Sequence, residues 1–78
     1  MPDKLTNLFA EVLRIDACSL NDGSSPDTVA EWDSVAVMNL VAAIEDTFDV
    51  TLSTREIVAM RSIGLARKAL RAKGVTDF

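Results

Sequence analysis

Leu5, Leu8, Phe9, Val12 and Leu13 recur at the spacing of one helix face, and Asp3 stands where a helix N-cap belongs. The chain therefore opens with a helix that buries a single stripe. That periodicity ends at Asp16, and Asn21-Asp22-Gly23-Ser24-Ser25-Pro26-Asp27 is dense in turn formers. A loop of about 15 residues follows, long for a compact fold unless it is functional or anchored. Leu20, Val29 and Trp32 are the side chains expected to pin it down. A second helix starts at Ser34 with Asp33 as its cap, and its apolar residues fall on two faces. Val37, Leu40, Val41, Ile44 and Phe48 form the expected core stripe. Val35, Met38 and Ala42 lie elsewhere, beside Glu45, Asp46 and Asp49. Core packing does not call for that second face, whereas docking of a partner would.

Ser53 and Glu56 are spaced as a capping box, in which each side chain satisfies the other residue's free backbone donor, so a short third helix runs to about Met60. Ser62 can cap a fourth helix with Ile63, Ala66 and Leu70 inward. Basic residues at 67, 68, 71 and 73 suit the negative end of its dipole, and Gly74 closes it. The pattern predicts an all-α fold, a small four-helix bundle with a long first loop and a short third helix, in one domain over residues 1–78.

A chain this short buries only about 60% of its unfolded surface. Its stability has to come from helix packing, because the single Cys18 cannot form an internal disulfide and the absence of His removes the usual Cys/His zinc patterns. This cysteine usage suits a reducing, cytoplasmic setting. Cys18, following the first helix, is expected to be a small buried hydrophobe. Hydrophobic residues make up 49% of the chain, which excludes a disordered segment. No apolar run reaches the roughly 20 residues of a bilayer span, and residues 1–4 do not lead into a signal core, so no stable membrane association is expected.

The net charge of −4 hides a division within the chain. Through Val50 ten acids face only Lys4 and Arg14, whereas from Thr51 onward six bases face Glu56 and Asp77. An acidic body disfavours nucleic acid as the ligand and favours basic surfaces on partner proteins.

The same composition removes several enzyme classes. Without His there is no Ser-His-Asp triad, and with no Tyr the acid/base repertoire is poor. Glu45 and Asp46 diverge by about 100° around the helix, so they do not face each other across a substrate. The three glycines are isolated, so there is no phosphate-cradling loop. Ser34 remains, at the mouth of a helix after a long loop, between Asp33 and apolar Val35. A serine there can also be a plain helix-start residue.

Trp32-Asp33-Ser34-Val35, followed by Leu40-Val41-Ala42-Ala43-Ile44-Glu45-Asp46 and Phe48-Asp49-Val50, resembles the Asp-Ser-Leu helix of acyl and peptidyl carrier proteins. The likeness spans nearly the whole chain, since the loop, the serine, the short third helix and the Ser62-Ile63 start arrive in the family's order. The resemblance implies a bundle of acyl-carrier type that performs no catalysis. It also implies that 4′-phosphopantetheine is attached covalently to Ser34 and carries acyl or aminoacyl groups as thioesters. The partners implied are a phosphopantetheinyl transferase, an acyl- or aminoacyl-loading enzyme, and downstream transferases or synthases. Asp33 would contribute to transferase recognition. Val35, Met38, Ala42, Glu45 and Asp46 would form the docking face, its acids pairing with Lys or Arg on the partner. A monomer is expected.

Several positions depart from the family pattern. Val35 stands where leucine is usual, Ala36 and Asn39 stand where fatty-acid carriers often have acids, and Arg55 makes the third helix less acidic. These departures point away from the general fatty-acid carrier and toward a dedicated carrier for one pathway. Trp32 either shares in that specialisation or packs the loop onto the bundle. Val35 and Met38 could instead be core. The alternative for the whole chain is a carrier-like adaptor that binds a protein partner and is never modified.

Overall fold

The computed structural model describes residues 3–76 and 78; Met1, Pro2 and Asp77, whose carboxyl entered the charge balance above, lie outside the described residues. The described elements are α1 (Lys4–Leu13), a 3-10 turn (Ala17–Ser19), α2 (Ser34–Phe48), α3 (Thr54–Ala59) and α4 (Ile63–Ala72). The predicted all-α plan therefore holds, with the 3-10 turn as an addition inside the loop.

Each helix begins where a side chain relieves its free backbone donors. Asp3 accepts from the Thr6 N–H at 2.9 Å, Asp33 from Ala36 at 2.8 Å and Ser62 from Leu65 at 3.1 Å. Ser53 and Glu56 form the full capping box, and Lys73 of α4 reaches the Glu56 carboxylate at 2.9 Å. Three helices end alike. Arg14, Asp49 and Gly74 adopt positive φ, and the residue after each donates back to Ala10, Glu45 and Leu70 respectively. Only Gly74 takes this conformation without steric cost; for an L side chain it costs roughly 1 kcal/mol.

α1 packs on α2 and α4, and α3 packs on α4. Leu5, Phe9, Ile44, Ile63 and Leu70 are the largest side chains fully removed from solvent, so three helices meet in one core. The inner faces expected for α1 and α4 are the buried ones. On α2 the expectation needs correction. Leu40 and Ile44 are buried, but Val37, Val41 and Phe48 are only half-buried, and Ala36 is buried with them. Ala36, Leu40 and Ile44 are spaced i, i+4, i+8, a single ridge along the helix. The seam of α2 is thus narrower than its apolar content suggested, and its small first residue lets the helix start close to the bundle. Ala36 is consequently no part of the solvent-facing charge pattern.

The loop is anchored as expected. Leu20, Val29 and Trp32 are all buried, and the Trp32 ring lies 5.1 Å from that of Phe9, tilted by 56°. The packing role of Trp32 is therefore established. Cys18 differs from expectation: it is exposed in the 3-10 turn, where Ala17 turns partly inward and Leu20 supplies the buried contact.

Two further ties fasten the loop to α4. The backbone carbonyls of Ser24 and Asp22 accept from Ile63 at 3.2 Å and Gly64 at 2.9 Å, so the loop supplies acceptors for the first donors of that helix. A side-chain carbon on Gly64 would lie 3.0 Å from the Asp22 carbonyl oxygen, so any side chain there requires the loop backbone to give way. One turn on, Arg67 places one guanidinium nitrogen on the Asp3 carboxylate and another on that of Asp22 at 2.8 Å. A single side chain of α4 thus holds the cap of α1 and the middle of the loop. Burial works to raise the Asp3 pKa, but the hydrogen bonds from Arg67 and Thr6 outweigh it and hold the carboxyl below its ordinary 3.8.

Because the folded value is depressed, this contribution is fully present above 3.8 and is lost as pH falls through the lower folded value. Asp3→Asn keeps a capping oxygen while removing the charge. It is expected to lower the melting temperature by several degrees at pH 7, as is proper for about 1 kcal/mol in a chain of this size, and by much less near pH 3. Thermal melts of both proteins across pH 2.5 to 7 check this. Gly64→Ala is expected to destabilise by about 1 kcal/mol although alanine is the better helix former, and Gly64→Val by more. Chemical denaturation measures both.

Candidate functional site

The end of α2 that follows the loop is set by Asp33. Its carboxylate accepts from the Ala36 N–H, its backbone carbonyl accepts from Val37 at 3.0 Å, and its own φ is extended, so Ser34 is the first helical residue. Because Asp33 serves as the cap, Ser34 does not. The Ser34 residue is exposed, and its hydroxyl has no partner among the described residues. The Ser34 and Val35 N–H groups likewise have no acceptor among the described residues, leaving donors beside the hydroxyl at the positive end of the helix dipole. A phosphodiester on this hydroxyl would meet free donors and an open approach. The site thus fits a phosphorylated arm, and the carboxylate beside the serine, that of Asp33, is engaged in capping.

The loop determines where this hydroxyl sits. Trp32, two residues earlier, is buried against Phe9 of α1, and the Trp32 N–H donates to the Val29 carbonyl at 3.1 Å. The indole Nε1–H has no acceptor among the described residues, so the ring is retained here for its apolar area and not for its polar tip.

The second face of α2 also emerges from the fold. Val35 and Met38 are 70% and 69% exposed, which excludes the core reading for both, and Ala42 is exposed with them. Glu45 and Asp46 are not equivalent. Asp46 is exposed, whereas Glu45 is half-buried and its Oε2 accepts from the Leu52 N–H at 2.8 Å. Glu45 therefore fixes the connection into α3, a role that the sequence did not indicate because Leu52 lies seven positions away.

These features match a known family. The family model described as the phosphopantetheine attachment site matches residues 3–66. The chain belongs to that family. Thirteen chains of solved structures match it. Among them is the solution structure of a holo acyl carrier protein from Nitrosomonas europaea, with a TM-score of 0.77 and 26% sequence identity over 88% of this chain and 89% of that one. No curated protein matches the chain.

The protein is accordingly a non-catalytic carrier whose prosthetic group is covalently bound phosphopantetheine, and it works with phosphopantetheinyl transferases and the enzymes of its pathway. Among the described residues, no helix of the carrier is long and apolar enough to cross a membrane, and no group of His, Cys, Asp and Glu could hold a metal ion.

The difference between the two acids of α2 can be measured. Glu45→Ala removes the acceptor of the Leu52 N–H and is expected to cost the carrier about 1 kcal/mol of folding stability. Asp46→Ala should stay within about 0.5 kcal/mol of the parent. Urea unfolding of the two variants distinguishes them.

Proposed function

We propose that Ser34 bears the 4′-phosphopantetheine arm, and that this single domain acts as a discrete, monomeric, cytoplasmic carrier of acyl or aminoacyl thioesters for one dedicated biosynthetic pathway. The observation that carries the reading is the division of labour at the start of α2. Asp33 takes the capping hydrogen bond, and Ser34 is left at the first helical position with an exposed hydroxyl that has no partner among the described residues. The holo state of the Nitrosomonas europaea carrier, whose fold this chain shares, supports the same assignment.

The loading step follows from what is present and what is missing. The Ser34 oxygen attacks the pantetheine-bearing phosphorus of coenzyme A, a serine–phosphate bond forms, and the pyrophosphate link breaks to release adenosine 3′,5′-bisphosphate. The serine proton goes to a base of the transferase, since no His or Tyr exists in this chain to receive it. Asp33, beside the reacting residue, is the natural contact for the transferase. The bound arm supplies a terminal thiol for thioester formation.

Val35, Met38 and Ala42, with Asp46 and the remaining oxygen of Glu45, form the face that successive enzymes meet. Exposed charges steer encounter and set orientation, and small apolar contacts slow release, so docking is weak and reversible. The dedicated role rests on how thin this face is. Asn39 is uncharged, Glu45 is half engaged within the fold, and α3 carries arginine.

Intact-mass measurement after incubation with coenzyme A, Mg²⁺ and a broad-specificity phosphopantetheinyl transferase is expected to show a gain of one phosphopantetheinyl group, absent in Ser34→Ala. Folded wild-type protein that gains nothing, even with a transferase from its own source, would instead indicate an unmodified adaptor.

A further inference from the structure

Most of the cations contributed by the basic half of the chain and by Lys4 are engaged internally. Arg67 binds Asp3 and Asp22, Lys73 binds Glu56, Arg71 lies 5.7 Å from the Phe78 ring and Lys4 lies 5.3 Å from that of Phe48. Arg55 and Arg61 are different. Both are exposed, and among the described residues neither has a carboxylate or aromatic partner, which is true also of Lys68 on α4.

Their position gives this meaning. In α3, Glu56 turns to Lys73, Ile57 is half-buried and Met60 at the helix end is buried, which leaves Arg55, Val58 and Ala59 on the outer side at spacings of three and four. Arg61 follows just past the end. Val58, between the two arginines, is 66% exposed, nearly as open as Val35 and Met38 on α2. Two segments thus expose apolar side chains beside charge of opposite sign: α2 with Asp46 and Asp49, and α3 with Arg55 on the helix and Arg61 just past its end. The hydrogen bond from the Leu52 N–H to Glu45 ties the segment that leads into α3 to α2.

A partner with a uniformly basic docking surface would gain opposite α2 and be repelled opposite α3. One with carboxylates at the second position would gain at both. We propose that the outer side of the α3 segment, with Arg55 and Val58 on the helix and Arg61 just past its end, is a selectivity surface. It admits enzymes that present carboxylates against it and turns away those whose carrier-docking surface is uniformly basic. Discrimination of this kind works through the repulsive element as much as the attractive one. This inference rests on the carrier reading and names the chemistry of the partner that the reading leaves open.

The test seeks a gain of function. Holo wild-type protein, Arg55→Gln/Arg61→Gln and Arg55→Glu/Arg61→Glu are prepared with the broad-specificity transferase and their loading is confirmed by mass. Each is then offered to a malonyl-transferring enzyme of general fatty-acid synthesis chosen for a docking surface lined by lysine and arginine. The Glu pair is expected to raise kcat/KM about tenfold over wild type at low salt, with the Gln pair between them. The gain should largely disappear near 0.5 M salt, where screening is short-ranged. A Glu pair that is loaded, folded and no faster than wild type overturns the inference while leaving the carrier reading intact. Should the Glu pair lose its folded state, the Gln pair decides by the same criterion. Failure of wild-type Ser34 to load removes the carrier reading and this inference with it.

Discussion

Arg67 joins two carboxylates that lie far apart in the chain, Asp3 at the cap of α1 and Asp22 in the middle of the loop. The position of the end that carries Ser34 depends on this connection and the contacts around it. A loop running from Asp16 to Asp33 would cost too much entropy to order by itself. It is held by apolar anchors at Leu20, Val29 and Trp32, by its own carbonyls on the first donors of α4, and by the guanidinium of Arg67. The close passage over Gly64 allows the loop to lie that near to α4. The position of Ser34 follows, because Trp32 is buried on Phe9 and Asp33 begins the next helix.

In a chain of this size, loop and bundle are not separate layers of stability. The fully buried side chains come from α1, α2 and α4, yet the surrounding core includes Leu20, Val29 and Trp32 from the loop and Leu52 and Met60 from the flanks of α3. With a modest core and no disulfide, the connecting segments have to contribute apolar area. Among the side chains that neither the core nor the internal ion pairs absorb are Val35, Met38 and Asp46 on α2, Arg55, Val58 and Arg61 at α3, and Leu65 and Lys68 on α4.

On the proposed function, the chemistry is divided between the chain and its partners: the carrier provides an open hydroxyl, free backbone donors and a docking face, while base, metal and acyl chemistry come from the enzymes it visits. Charge belongs to encounter in this arrangement and not to catalysis. The split between an acidic first part and a basic second part is reduced on folding to what remains unpaired, because Arg67 and Lys73 are neutralised within the structure.

Local rules determined the helices. Cap residues and apolar periodicity in the sequence located α1, α2, α3 and α4 and the start of α2 at Ser34, because these depend on hydrogen bonds and faces within a few residues. The motif around Ser34 and the order of elements made the family resemblance legible. The 3-10 turn, the exposure of Cys18, the narrow seam of Ala36, Leu40 and Ile44, and the internal use of Glu45 were decided only by the tertiary structure. So were the Arg67 clamp and the close approach of the loop to Gly64. Each depends on groups brought together from distant positions, where side-chain reach and the direction of the loop select one partner among several carboxylates and carbonyls. Periodicity records which residues prefer burial, but it does not record how far each face will be covered once the neighbouring helices have chosen their distance.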